Sequence, residues 1–307
     1  MSFQLRRLSF VGIAFVLALL LSVSFVNVHQ TSARATQIAA PRSVGPAHFT
    51  WIAPTGLTSG DLTIIDSFST NNFPNAILFV TPNFDPGAIG GTYDPHPVGV
   101  VYNTFLGEWE IFNEDGATMP LKAAFNVLVF PRPGGSVFVQ TATSANIIGD
   151  FTSINNALTN GQPAAQLLIT QSFNPFFAPS GTANPHPVGV WYDTAIRQWA
   201  VFNEDRTGMP LNASFNILVG TGASGGTESL QTATPATVSG DATAITTVLG
   251  PNSVILVTPN WNPGGVGGTY DPHPIGMAYF VPTGQWLIFN EDKINMPLNA
   301  AFNVLAF

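Results

Sequence analysis

Cysteine is absent from all 307 residues. That excludes a disulfide framework, a thiol nucleophile, a Cys-based zinc site and a bacterial lipid-anchor cysteine. Charge is nearly as scarce: only 8% of residues are charged, against 45% apolar ones, so the surface must be covered largely by Asn, Thr, Ser and Gln. Positive charge is the scarcest, with nine Lys and Arg against seventeen Asp and Glu. Such a balance repels nucleic acid and anionic membranes. Helical periodicity is missing as well: no stretch sustains an apolar 3.6-residue repeat over eleven residues, apart from the N-terminus.

That N-terminus reads as an export signal. Arg6 and Arg7 precede an apolar run from Leu8 to Val26, and Ala33-Arg34-Ala35 forms an A-x-A cleavage site. Residues 1–35 are therefore expected to be a signal peptide, favoured over an uncleaved membrane anchor, and 36–47 a tether. Cleavage removes Arg6, Arg7 and Arg34, and the mature chain keeps six basic residues against seventeen acidic ones. A secreted, extracellular or cell-surface protein with no membrane span in its mature chain follows as the expectation.

What the sequence has in abundance is self-similarity. His96, His186 and His273 are spaced 90 and 87 apart, and Trp109, Trp199 and Trp286 keep the same offsets. Each His sits in a P-H-P-V/I-G segment, each Trp precedes an N-E-D triplet, and each copy closes on M-P-L and F-N-V/I-L. Upstream, GDLTII, GDFTSI and GDATAI each lead to an apolar run. Three repeats are expected at 48–130, 137–219 and 228–307, joined by glycine-rich linkers at 131–136 and 220–227. Short β-branched and aromatic runs bounded by Pro, Gly, Asn and Asp are strand grammar. The fold class is therefore all-β: three tandem small antiparallel β-sandwich or barrel modules of five or six strands each. The pair PVGVVYN and EWEIFNE reads as a hairpin. Glycine linkers favour separate beads over one shared threefold core.

Three groups of residues could carry chemistry. His96, His186 and His273 are rigidly held between prolines, as ligands or acid/base groups would be, or they brace a loop. Glu114 with Asp115, Glu204 with Asp205 and Glu291 with Asp292 end a strand, where clustered oxygens suit calcium or build a turn. Calcium is the one cofactor these residues suggest. Tyr93, Asp94, Tyr270 and Asp271 would form a sugar-binding edge, aromatic faces stacking on pyranose rings and carboxylates accepting hydroxyls; the middle copy departs from it. The motif tryptophans are expected in the core, and Asn126, Asn216 and Asn303, inside apolar strands, are expected to bridge to a loop. The face of Glu110 and Phe112 is expected to be partly exposed. No H-E-x-x-H motif and no phosphate-cradling loop followed by a helix is present.

The runs HPVGVWYD, W-x-V-F-N-E-D and M-P-x-x-A-x-F-N-V resemble repeat domains of exported bacterial proteins of unknown function. The resemblance implies secretion and modularity and carries over no site residues. A non-catalytic structural, adhesion or matrix-assembly protein is expected, its partner a second copy or an extracellular polymer or glycan. The alternative is a lectin-like glycan binder, with a hydrolase behind both.

Overall fold

A computed structural model describes residues 45–87, 90–178, 180–220 and 225–307. The expected signal peptide and the tether up to residue 44 lie outside the described residues. Each repeat contains seven strands. The first has β1 (Ala47–Ile52), β2 (Thr58–Ser59), β3 (Leu62–Ile65), β4 (Ile77–Pro82), β5 (Val98–Asn103), β6 (Glu108–Asn113) and β7 (Ala124–Phe130). The second has β8 (Val137–Thr141), β9 (Ile147–Ile148), β10 (Phe151–Ile154), β11 (Leu167–Ser172), β12 (Val188–Asp193), β13 (Gln198–Asn203) and β14 (Ser214–Val219). The third has β15 (Thr227–Thr232), β16 (Val238–Ser239), β17 (Ala242–Ala244), β18 (Ile255–Pro259), β19 (Ile275–Phe280), β20 (Gln285–Asn290) and β21 (Ala301–Ala306).

Every pairing within a repeat is antiparallel. An inner sheet of three strands (β1-β7-β4 in the first repeat) packs against an outer sheet of four (β2-β3-β6-β5). The expected hairpin is β5–β6, with Tyr102 opposite Trp109. Trp109, Trp199 and Trp286 fill the space between the sheets and are at most 2% exposed. Each indole N–H donates to a carbonyl of the long loop before the inner strand: Phe73, Gln162 and Gly250 at 2.8–2.9 Å. That bond satisfies the one polar atom of a core tryptophan and pins a loop that has no ladder of its own.

The repeats are not separate beads. Inner strands β4 and β11 are buried at every position, because their second face turns toward a common axis. Ile77, Phe79 and Leu128 meet Leu168 and Leu218 and then Leu256 and Leu305 in one cluster drawn from all three repeats. The separate-bead expectation is thus corrected: a two-faced apolar sheet in a unit this small has too little of its own chain to cover both faces.

Polar contacts repeat around the same ring. Val80 N–H donates to Thr170 Oγ1, Ile169 N–H to Thr258 Oγ1 and Val257 N–H to Thr81 Oγ1, at 2.9–3.0 Å. Asn126, Asn216 and Asn303 donate to the carbonyls of Ile255, Leu78 and Leu167. These amides therefore bridge to the neighbouring inner strand rather than to a loop. Short parallel pairings join each outer sheet to the next repeat: Gly99 with Gln171, Val190 with Asn260 and Met277 with Asn83. The third of these links the last repeat back to the first and closes the ring.

Candidate functional site

At one end of the axis the three repeats present the same residues to a shared cleft of about 80 Å³. Thr81, Thr170 and Thr258 line it together with the three His-Pro segments. His96 Nδ1 is 2.7 Å from Asp115 Oδ2, His186 Nδ1 is 2.7 Å from Asp205 Oδ2, and His273 Nδ1 is 2.6 Å from Asp292 Oδ2. The second carboxylate oxygen of each Asp accepts a backbone N–H two residues on, from Ala117, Thr207 and Ile294. For Asp205, burial works upward, but the Thr207 N–H and the His186 ring outweigh it and hold the carboxyl below the usual range.

The glutamates are placed differently. Glu114 Oε2 accepts the N–H of Asn184, Glu204 Oε2 that of Asp271, and Glu291 Oε2 that of Asp94, each donor belonging to the following repeat around the ring. The other oxygen, Oε1, lies against Gly99, Gly189 or Gly276, so close that a Cβ there would overlap it. Burial pushes Glu114 and Glu291 up to about 8, against the favourable N–H bond, and Glu204 well above its ordinary value. Glu114 and Glu291 thus hold their protons to neutral pH, and all three carboxyls clamp one repeat to the next.

Asp94 and Asp271 are 2% exposed and lie beneath that clamp rather than on a sugar-binding edge. Their Oδ1 atoms accept from Asn113 and Asn290 at 3.1 Å. Burial, first among the causes, pushes both up to about 6. The middle repeat has Asn184 here, bonded to Asn203, so a neutral amide fills the same place. Among the described residues, no three His, Asp or Glu side chains converge as metal ligands.

Of the expected edge residues, only the tyrosines remain at a surface, and they sit at junctions between repeats. Tyr93 packs on Phe84 of its own repeat and on Phe289 of the last one, with Lys293 Nζ 4.1 Å from its ring centre. Tyr270 packs on Trp261 and on Phe202 of the second repeat. The Glu110–Phe112 face, which was expected to be partly exposed, is buried: Glu110 is 5% and Phe112 8% exposed, Phe112 meeting Phe173 of the next repeat edge-on.

The junction of the second and third repeats opens into a cleft of about 240 Å³. Phe151, Trp191 and Phe202 line it from one side and Trp261 and Tyr270 from the other, with Asp150 and Arg206 among its walls. Sequence reading missed this site. Its signal lay in positions where the repeats differ: Trp191 aligns with Val101 and Ala278, and Phe151 with Leu62 and Ala242.

The chain matches the family described as "Domain of unknown function (DUF7452)" at residues 32–129, 99–219 and 193–306. It belongs to that family. In this DUF7452 chain the three matches overlap, the second beginning in β5 and the third in β12, the equivalent strand of the preceding repeat, and each running through the next. No curated protein and no solved structure matches it. No helix among the described residues is long and apolar enough to cross a membrane.

Proposed function

We propose that this protein is a non-catalytic, exported structural or adhesive protein that works as a rigid three-part platform. One observation carries the reading: the buried glutamates, which would be the natural acid/base groups of an enzyme, are engaged with backbone N–H groups of the neighbouring repeat. Each Asp of N-E-D is likewise tied to its own turn and its own histidine. Export is supported by Arg6, Arg7, the apolar run after them and the lack of thiols.

Assembly is supported by three strands that end their sheets. β1, β8 and β15 are terminal in the strand order among the described residues, and Ile52 and Leu230 on two of them are 44% and 43% exposed. Sheet edges can recruit further strands unless charge or covering segments block them. Light scattering over a concentration series of the mature chain is expected to reveal growing oligomers, diminished in Ile52→Lys and Leu230→Lys. A strictly monomeric chain at every concentration would remove the assembly half of the reading, and turnover of a polymer substrate would remove the non-catalytic half.

A further inference from the structure

We infer that the cleft between the second and third repeats binds a neutral pyranose ring of a glycan; this rests on the reading of the protein as a non-catalytic adhesive platform. Its walls are aromatic and set at steep angles. Trp191 and Trp261 stand at 89° with ring centres 6.2 Å apart, Phe151 meets Trp191 at 86°, and Trp261 meets Tyr270 at 46°. A pyranose presents an apolar C–H face to one such ring and an edge to the next, while its equatorial hydroxyls point outward. A cleft of about 240 Å³ suits one or two sugar rings.

The polar groups complete the match. Asp150 offers acceptors and Arg206 offers donors, and together they carry no net charge. An organic cation is disfavoured, because the Arg206 guanidinium already lies 5.8 Å from the Tyr270 ring centre. Loop geometry fixes the wall: Gly268 lies so close to the Trp261 indole that a Cβ would overlap it, which holds the ring in place.

The other junctions lack the site. Where the third repeat meets the first, Ala242 and Ala278 replace Phe151 and Trp191; where the first meets the second, Leu62, Val101, Gly116 and Ala183 replace Phe151, Trp191, Arg206 and Tyr270. These replacements show which substitutions the fold accepts. Trp191→Ala and Tyr270→Ala each install a side chain already present at an equivalent position, and Arg206→Gly does the same.

The test is a panel of glucose-, galactose-, mannose- and N-acetylglucosamine-ended glycans on an array, followed by calorimetric titration with cellotriose and chitotriose. At least one panel member is expected to bind saturably. Trp191→Ala and Tyr270→Ala should weaken it about tenfold or more with unchanged melting, and Tyr93→Ala, at a different junction, should not. Binding of no panel member, equal binding by the variants, or saturable binding of choline instead would overturn the inference. If the glycans fail while the chain still assembles, the platform reading stands without the cleft; if the chain cleaves a panel member, the platform reading itself falls.

Discussion

A methyl group at Gly99 would occupy the space of the Glu114 carboxyl, so this position tests the clamp one atom at a time. Gly99→Ala is expected to destabilise the protein by about 1–3 kcal/mol, as overpacking of a tight interior does, and a thermal melt reads it directly. A second residue marks the seam of the ring. Asn174 and Asn262 each bond both the N–H and the C=O of a tyrosine in the preceding repeat, Tyr102 and Tyr192. The equivalent residue beside Tyr279 is Asp85, whose Oδ1 accepts from Gly90 instead. Asp85→Asn is expected to add the missing pair at the junction of last and first repeats and raise the melting temperature, with a gain of about 1 kcal/mol. Recurrence along the chain identified the histidines, the N-E-D residues and the tryptophans. It could not identify their partners: the acceptor for Asn126 lies 129 residues away, and no local pattern encodes such a distance.

Among the elements, the inner strands carried a sign of the ring that spacing arguments pass over. AILFVTP and AFNVLVF are apolar runs broken only by Thr81 and Asn126, and a strand covered on both faces reads that way, whereas a one-faced strand alternates. The glycine linkers suggested independence. Yet Pro131–Ser136 contains a tight turn in which Gly134 and Val137 exchange backbone hydrogen bonds, and glycine there serves geometry rather than freedom. The threonine ring provides the matching experiment. Thr170→Val keeps the shape but leaves the Val80 N–H without its acceptor; a loss of about 1–3 kcal/mol is expected, measured by denaturant unfolding. The aromatic cleft escaped the sequence because its residues are those that differ among repeats, and a search for recurrence discards them.

For the whole molecule, one shared core predicts one transition. Scanning calorimetry should give a single peak whose calorimetric and van't Hoff enthalpies agree, where independent beads would give up to three. The buried carboxyls add a pH dependence whose direction is fixed. Glu114 and Glu291 titrate near 8 when folded, against an ordinary value of 4.5, so the folded state binds their protons more tightly than the unfolded chain. Their contribution to stability is full below about pH 4.5 and is lost as pH rises through about 8. Melting temperature should therefore fall across that window, and Gln at positions 114, 204 and 291 together should flatten the decline.

The closing contact between Met277 and Asn83 also sets a rule of count. Each repeat offers one surface forward and a complementary one back, and the rotation between them returns to its origin after three steps. A chain with four repeats would carry one unit with no seat, free to enter the ring of another molecule. A single repeat, cut at its linkers, would have both surfaces bare and could satisfy them only as a trimer. The number three is thus a property of the angle at each junction, and the peptide links between repeats merely keep the members together.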